Sequence, residues 1–445
     1  MAEKTAAKSH RSVRLIRWFA FLPLSLFASQ PSSLIIDYPA PGSVFPAEFP
    51  PPTFLYRDPT PGVTRWIVTI SFATGSPSLR ITAPGEPWRP GEIDARAAAP
   101  TNQLPSLPQN RKGTRTWKPD AAAWSLMKTR SRHRPFIVAI AGYREANSAE
   151  PVSRGTVSIQ FSQDPVGAPI FYRDVPLMSS ETEKGFIKPL ASDALPLIAW
   201  RIRDVAKTRS RVVMAGLHTC ANCHSVSRDG KTLGLDIDGP QNEKGLYALV
   251  SVRPQTVIRN EDMITWSTFR GKLGGKLRVG FMSQVSPDGR YVITMINDPG
   301  PEQSEYERRK SNSFPKVSPD GRWIVFVQAR NGLLMRPDSQ LYIVPLAGGV
   351  ARRMRCNTPL MNSWHSFSPN GRWMVFSSKS LSPYTQMFLT HLDEQGNDTP
   401  PLLFENATAC STFWRKCTLK PVGGATPCVQ PSQRSQPPSG RAISA

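Results

Sequence analysis

Cysteine and histidine are scarce in this chain, which contains 6 of each among its 445 residues. No second C-x-x-C pair and no H-x₃₋₅-H pair follows the single C-x-x-C pair, so the ligand set of a structural zinc site is incomplete. The G-x-S-x-G, H-E-x-x-H and P-loop patterns are absent as well. Hydrolase chemistry and P-loop nucleotide binding therefore have no support in the sequence.

Acidic residues are also few, because 33 Asp and Glu stand against 55 Lys and Arg and give a net charge of +22. A nucleic-acid groove usually shows runs of Lys and Arg with interleaved aromatic residues, and the sequence contains no such run. Nucleic acid is therefore not an expected partner. The positive charge fits either a solvated basic surface or a surface that docks an acidic redox partner or anionic lipid headgroups.

Long apolar stretches are missing beyond the N-terminus. Basic residues up to Arg17 precede a short apolar stretch from Trp18 to Ala28, a pattern that predicts an export signal over residues 1–28. Residues 26–28 do not form a small-x-small cleavage triplet, so a retained N-terminal membrane anchor is the alternative. In both cases we expect the protein in the periplasm or at the cell surface.

The single C-x-x-C pair belongs to a C-x-x-C-H pentapeptide at residues 220–224. Two thiols at this spacing can bond to the two vinyl groups of one haem, and the adjacent histidine then becomes an axial ligand of the iron. A random shuffle of this composition gives on the order of 10⁻³ copies of the pattern. A redox dithiol is less favoured, because the βαβ context of the thioredoxin type is absent. We therefore predict a covalently attached haem c held by Cys220 and Cys223, with His224 as the proximal ligand.

The first part of the chain predicts an all-β domain. With 44 prolines in total, the sequence favours turns and strands over long helices. Apolar or alternating runs at 65–72, 136–143 and 156–161 indicate strands, and Asp120 fits the N-cap of a short helix over 121–127. We expect an immunoglobulin-like β-sandwich over residues 35–161 and a connector over 162–219.

Four copies of a turn pattern follow the pentapeptide. Each begins with Ser, places Asp or Asn two residues later and continues with Gly and a basic residue, and an apolar strand comes next. The four copies with their strands span residues 227–233, 286–292, 318–324 and 368–374. Repeated turns that open buried strands are typical of a β-propeller, which we predict over residues 220–409.

The S-P-D-G-R pattern resembles the repeat of TolB-type, WD-repeat-like propellers. Together with residues 169–176, the C-x-x-C-H pentapeptide and residues 362–366, it resembles bacterial proteins that combine a leading β domain, a haem-attachment motif and a TolB-like propeller. These proteins are mostly uncharacterised, so the resemblance implies architecture and export more than activity. It covers roughly residues 35–409.

Two features depart from that resemblance. The glycines of successive turns are 59, 32 and 50 residues apart, and the chain after the motif has room for roughly four blades of ~40–45 residues. An incomplete propeller is therefore an expected possibility. Residues 410–445 contain no acidic residue, and residues 421–445 are rich in Pro, Ser and Gly, so we interpret this tail as disordered or aberrant.

Several residues are candidates for the second axial ligand of the haem iron. Among them His365 is the preferred distal ligand, because it lies beside Trp364 just before a repeat turn. A hydrogen-bonded structural role for His365 and a core position for Met282 are the alternatives and stay open. Met282 is the alternative, and Met361 and His218 are further candidates, although His218 lies close to His224 in sequence. A fragment of a calcium loop at Asp236 is better explained as a solvated turn.

Two functions fit these observations. The first is electron transfer by an exported c-type haem protein, with a redox partner in the cell envelope. The alternative is a non-enzymatic TolB-like propeller that binds a protein or glycan partner and uses the haem as a structural element. Whether the chain is an enzyme is left open, and a carrier or binding protein is favoured over a hydrolase.

Overall fold

The computed structural model describes most of the chain between residues 32 and 407. The described residues are 32–89, 113–145, 148–175, 196–216, 224–237, 245–253, 256–266, 278–286, 288–297, 311–330, 337–381 and 384–407. All statements about structure refer to these residues. The leader over 1–28 and the tail over 410–445 lie outside them, as do Cys220 and Cys223.

The N-terminal part consists of ten strands and one α-helix. The elements are β1 (Ser32–Ser33), β2 (Ile35–Tyr38), β3 (Ser43–Phe45), β4 (Phe54–Arg57), β5 (Arg65–Phe72), β6 (Leu79–Ala83), β7 (Glu86–Pro87), β8 (Thr114–Trp117), α1 (Ala121–Ser131), β9 (Phe136–Tyr143) and β10 (Ser153–Phe161). One sheet has the order β1-β10-β9-β5-β6, with β3 also paired to β10, and the second has the order β2-β4-β8-β7. The strands and helix expected from the sequence are confirmed.

The two sheets form a sandwich, because side chains from both share one apolar core. Val157 and Ile159 alternate with exposed residues along β10 and contact the same cluster as Phe54 and Tyr56 of the second sheet. Alternation of this kind buries one face of a strand and leaves the other in water. The sandwich is confirmed, and its immunoglobulin-like character stays a prediction.

Helix α1 begins where the sequence predicts it. The Asp120 carboxylate accepts a hydrogen bond from the Ala123 amide at 2.7 Å, which satisfies one of the free N–H groups of the first turn. Arg132, in the left-handed conformation at φ 47°, follows the last helical residue. Trp124 and Met127 bury one side of the helix against the sandwich core, so the helix closes an end of that core.

Five further sheets follow in the described part of the chain, and we call them blades 1 to 5. Their strands are, for blade 1, β11 (Ile170–Asp174), β12 (Ala199–Arg203) and β13 (Arg211–Ala215); for blade 2, β14 (His224–Val226), β15 (Thr232–Ile237), β16 (Leu246–Ser251) and β17 (Met263–Thr265); for blade 3, β18 (Arg278–Val285) and β19 (Val292–Asn297); for blade 4, β20 (Ser311–Val317), β21 (Trp323–Ala329), β22 (Gln340–Pro345) and β23 (Arg352–Arg353); and for blade 5, β24 (Ser363–Phe367), β25 (Trp373–Ser378), β26 (Gln386–His391) and β27 (Leu402–Leu403).

Each blade is an antiparallel sheet whose strands pair in chain order. The four sheets after the pentapeptide agree with the blade number expected from its length. Blade 1 lies inside the segment predicted as a connector. The chain is therefore all-β and propeller-like, with one α-helix among its described residues.

Blade 5 packs directly on the sandwich. Trp373, Met387 and Leu389 of this blade belong to the same apolar core as the sandwich residues. The Trp373 indole N–H donates to the Asp164 carbonyl at 3.0 Å, and the Asn370 amide donates to the Pro165 carbonyl at 2.7 Å. The first and last described parts of the chain are thus joined by both apolar and polar contacts.

The end of blade 5 also contacts blade 1. Arg203 of β12 is 1% exposed, and its Nη2 donates to the Glu405 carbonyl at 3.1 Å. Its guanidinium lies over the ring of Phe404, which belongs to the sandwich core. The first blade and the residues after the last blade therefore meet, as closure of a ring of blades requires.

Candidate functional site

The repeat turns have one hydrogen-bonding pattern in all four copies. In the copy of blade 4, the Ser318 hydroxyl donates to the Asp320 carboxylate, which also accepts from the Arg322 amide at 3.1 Å. The Trp323 amide donates back to the Ser318 hydroxyl at 3.0 Å. Gly321 adopts φ +72°, a conformation that costs an L-residue free energy. The turns predicted from the sequence are confirmed.

These turns connect the first two strands of blades 2 to 5 and contact one another. The Arg228 guanidinium of blade 2 donates to the Pro319 carbonyl in the turn of blade 4 at 3.0 Å. A Cβ on Gly371 of blade 5 would lie 3.5 Å from the Pro319 ring. The turns of blades 2, 4 and 5 therefore lie together on one side of the blades.

The C-x-x-C-H pentapeptide ends at the first residue of blade 2. His224 begins β14, pairs with Leu235 of β15 and lies three positions before Ser227, the first residue of the repeat turn. The last residue of the C-x-x-C-H pattern, His224, is therefore part of a blade. The sequence pattern also indicates this, because the copy at residues 227–233 begins three positions after His224, although it has Arg228 where the other three turns have proline.

His365 occupies the equivalent position of blade 5. It lies in β24, three positions before Ser368, just as His224 lies three positions before Ser227. The strand registers agree at the next residue, because Ser366 pairs with Val375 as Ser225 pairs with Gly234, whereas the register of β24 shifts between Ser363 and Ser366, across His365 itself. The sequence around each histidine, N-C-H-S-V-S and S-W-H-S-F-S, contains the signal that could have shown this equivalence.

The His224 imidazole is half-buried against an apolar neighbour. The Phe171 ring of blade 1 meets it edge to face, with 4.8 Å between the ring centroids. Phe171 and Met214 also pack on the small core of blade 2. Such a contact restricts the orientation of the imidazole, and apolar packing at this position suits a ligand beside a haem.

His365 is buried between blades 4 and 5. Its side chain is 1% exposed, its Nε2 lies 2.9 Å from the Val325 carbonyl oxygen, and the Phe314 ring lies 5.8 Å away. Because a carbonyl can only accept, Nε2 carries the proton and Nδ1 keeps a lone pair. Nδ1 is buried and has no hydrogen-bond partner. Burial lowers the pKa of His365 to about 3, so the imidazole is neutral at physiological pH.

The other candidates for the distal ligand lie in different surroundings. The backbone of Met282 belongs to β18 of blade 3. Met361 is 1% exposed, with φ +50°, in the segment that leads into β24. His218 lies outside the described residues. The assignment of His365, with Met282 as the alternative, stays a prediction.

Two other candidate sites can be placed. The turn expected from Asp236 to Glu243 does not begin at Asp236, which lies in β15 with 9% of its surface exposed, and residues 238–243 lie outside the described residues. Strand pairing continues through Ile237 and places this carboxylate within the sheet. No group of three or more His, Cys, Asp or Glu side chains in the described part of the chain is arranged to hold a metal ion. Cys356 is buried as a free thiol.

The described residues include no membrane-spanning helix, because none of their helices is long and apolar enough to cross a bilayer. The predicted N-terminal anchor lies outside these residues, and it stays a prediction.

The chain matches no protein-family model and no curated protein. Solved structures give low similarity. A GH74 enzyme from Niastella koreensis has a TM-score of 0.28 at 10% identity over 54% of this chain and 47% of its own. A putative 6-phosphogluconolactonase from Bacteroides fragilis has a TM-score of 0.21 at 10% identity over 78% of this chain and 96% of its own. The match thus spans about half of the GH74 chain, and likeness this low supports no inference about activity.

Proposed function

We propose that the chain is an exported c-type haem protein of the TolB-like propeller class that transfers electrons in the periplasm or at the cell surface. The observation that supports this most is the position of His224. The C-x-x-C-H pentapeptide places its histidine at the start of the first strand of blade 2, where Phe171 orients the imidazole. The donor set of two thiols and one imidazole fits a covalent haem.

Each residue of the pentapeptide has a defined task in this proposal. Cys220 and Cys223 would form the two thioether bonds, and His224 would bind the iron on the proximal side. When bound, the haem supplies one-electron redox chemistry. The chain sets the strength of that chemistry by orienting His224, by burying the ring beside Phe171 and by supplying a second ligand.

His365 is the proposed distal ligand. Two features of its surroundings support this choice: the imidazole is neutral, and Nδ1 has a lone pair with no hydrogen-bond partner. His224 and His365 also share one position of the repeat, so both belong to the first strand of their blades. Ligation by two imidazoles gives a lower potential than ligation by His and Met.

Covalent attachment is tested with cysteine variants of the full chain produced together with a haem-attachment system. We expect the wild type to keep its haem through denaturing electrophoresis and acid–acetone extraction, and the double variant Cys220→Ser, Cys223→Ser to lose it. Cys356→Ala is the matched control, because Cys356 is a buried free thiol far along the chain. Complete extraction of haem from the wild type, or zinc in its place, would contradict the proposal.

The distal ligand is tested by visible spectroscopy of the oxidised protein. His365→Ala should lose the low-spin spectrum, whereas Met282→Ala should keep it. If His365→Ala is unchanged and Met282→Ala loses a weak band at the red end of the spectrum, sulfur is the ligand and the assignment of His365 is wrong.

Export is tested by deleting residues 1–28. Because thioether attachment takes place outside the cytoplasm, the shortened chain should accumulate there without haem. Full haem loading of this variant would show that the leader is not an export signal.

A further inference from the structure

The end of helix α1 carries arginines that have no carboxylate partner. The sequence K-T-R-S-R-H-R over residues 128–134 covers the last turn of the helix and the turn into β9, and no acidic residue occurs between Asp120 and Glu145. Arg132 and Arg134 are exposed, and within the described part of the chain neither side chain makes an ion pair or a hydrogen bond. Their guanidinium groups are therefore open to an external anion.

The turn between β5 and β6 extends this surface. The Arg130 Nη1 donates to the Pro77 carbonyl at 2.7 Å, and the Thr74 hydroxyl donates to the Arg130 carbonyl at 2.7 Å. Arg80, exposed in β6, follows Pro77 by three residues, and residues 73–78 contain no charged side chain. Four arginines thus lie around one uncharged turn. We call them the basic surface, which consists of Arg80, Arg130, Arg132 and Arg134.

The stability of the fold explains only part of this charge. Cations in the last turn of a helix interact favourably with its free carbonyl groups, which applies to Lys128 and Arg130. Glu48 lies near the Lys128 ammonium and offsets its charge. The other three arginines of the basic surface lie beyond the helix, where their mutual repulsion costs free energy. A concentration of unpaired positive charge of this kind indicates an anionic partner.

Exposed apolar side chains flank the basic surface. Leu126 is 41% exposed and lies four positions before Arg130, on the same face of α1. Ile137 is 48% exposed and pairs with Ser71, which lies three positions before Thr74 in the β5–β6 turn. A lipid surface offers anionic headgroups and, just below them, an apolar boundary. An anionic glycan would satisfy the arginines but would leave both apolar side chains in water.

We propose that the basic surface docks on an anionic lipid bilayer, with its arginines at the headgroup phosphates and with Leu126 and Ile137 at the acyl boundary. The guanidinium group presents paired N–H donors that fit phosphate oxygens. Each arginine near such a bilayer raises the affinity by about fivefold. The surface lies on the sandwich and does not include the C-x-x-C-H pentapeptide, so docking does not depend on the haem.

Cosedimentation with lipid vesicles tests the proposal on the full-length, haem-loaded protein. The vesicles contain phosphatidylcholine alone or phosphatidylcholine mixed with phosphatidylglycerol. We expect the wild type to bind the mixed vesicles only, and to dissociate from them at high salt. The triple variant Arg80→Gln, Arg132→Gln, Arg134→Gln should bind about a hundredfold more weakly, because it loses three of the four arginines. It keeps Arg130 and the contact with Pro77.

Two control variants remove the same kinds of side chain elsewhere. The triple variant Arg253→Gln, Arg290→Gln, Arg355→Gln takes one exposed arginine from beside each of blades 2, 3 and 4, so the net charge falls equally. It should bind the mixed vesicles nearly as well as the wild type does. Leu126→Ser should weaken binding by about fivefold. Val350→Ser, at a position that is 92% exposed after β22, should not weaken it.

Three outcomes would overturn the proposal. Equal binding of the wild type to both kinds of vesicle would show that the leader, and not the arginines, holds the chain. Equal losses in the two triple variants would show that only net charge matters. Tighter binding to dextran sulfate than to the mixed vesicles, with no effect of Leu126→Ser, would assign the surface to an anionic glycan. The double variant Cys220→Ser, Cys223→Ser should bind vesicles like the wild type, so docking and haem attachment can fail independently.

Discussion

At the scale of single residues, the burial of an ionisable group lowers the free energy of unfolding. Lys379 follows β25, is 8% exposed, and donates its backbone amide to the Leu360 carbonyl. Burial lowers the pKa of Lys379 from its usual 10.5 to about 8. Lys379 therefore binds its proton more weakly in the folded protein than in the unfolded chain. The sequence alone could not show this, because Lys379 lies in an ordinary polar stretch between strands.

We expect Lys379→Met to stabilise the protein by about 1–3 kcal/mol at pH 7. Between pH 10.5 and 8 the unfolded chain binds a proton that the folded protein does not, so the wild type loses stability as the pH falls through this range. The advantage of the variant should shrink as the pH rises from 7 to 10. Urea unfolding at both values measures the difference, and Lys207→Met is the control because Lys207 is exposed. A variant less stable than the wild type at pH 7 would contradict the prediction.

At the scale of single elements, the four repeat turns are the best predicted parts of the molecule. Their Ser, Asp and Gly residues define local hydrogen bonds that require no distant contact, and the structure contains all of them. Blade 1 was not predicted, because the residues between β11 and β12 contain no Pro-Asp-Gly turn. The position of each blade relative to the others depends on contacts such as that between Arg228 and Pro319. No local sequence pattern specifies such a contact.

Gly321→Ala should destabilise the protein by about 1 kcal/mol. The glycine adopts φ +72°, and no atom lies within 4 Å of an added Cβ, so the cost comes from the backbone alone. Gly321→Asn is the matched variant, because asparagine tolerates the left-handed region better than alanine does. Chemical denaturation should rank the wild type first, Asn second and Ala last. Equal stability of Ala and wild type would contradict the prediction.

The acid stability of the turns depends on their carboxylates. Desolvation raises the pKa of Asp320, but hydrogen bonds from Ser318 and Arg322 outweigh it and lower the pKa to about 2. A lowered carboxylate pKa contributes stability above about pH 4, and that stability is lost as the pH falls toward 2. Asp320→Asn should therefore lose less stability than the wild type between pH 4 and 2.

The same change in blade 3, Asp288→Asn, repeats the test. Asp288 accepts from the Ser286 hydroxyl at 2.5 Å and from the Arg290 amide at 3.1 Å, and these hydrogen bonds lower the pKa of Asp288. Asp288→Asn should therefore also lose less stability than the wild type in the same pH range. Parallel acid-unfolding curves for the wild type and both variants would rule out a contribution of the turn carboxylates.

At the scale of the whole molecule, contacts between the two ends of the described chain hold the blades together. Asp164 accepts hydrogen bonds from Trp373 at its carbonyl and from His391 at its carboxylate. Arg203 links blade 1 to the residues after blade 5. The apolar runs of the sequence predicted sheets and a sandwich. They could not predict which sheets meet, because these pairs are separated by about 200 residues.

Arg203→Met should destabilise the protein by about 2–4 kcal/mol, because the Glu405 and Asn406 carbonyls lose a buried donor. Arg209→Met is the control, since Arg209 lies exposed in the loop that precedes β13. Chemical denaturation of both variants measures the effect. A stability loss no larger than that of the control would show that this contact does not help to close the ring.

Two truncations distinguish the contribution of the Arg203 and Phe404 contacts to stability from that of the tail, residues 410–445. Ending the chain after Ala409 should leave the melting temperature nearly unchanged, because residues 410–445 have no periodic apolar pattern. Ending it after Leu403 removes the buried Phe404 and the acceptors of Arg203, and should lower the melting temperature strongly. A large drop for the first truncation would show that the tail supports the fold.

The contact between the sandwich and blade 5 also sets an order of events during synthesis. Tyr38 bonds to Leu403, 365 positions later, and the Phe49 and Phe404 rings lie 5.3 Å apart. A ribosome makes the sandwich first, and its partner surface in blade 5 leaves the exit tunnel only after Leu403 has been added. Until then an apolar face of the nascent chain stays uncovered. Chains that terminate early keep this face exposed, and cellular proteases degrade chains with exposed apolar surface.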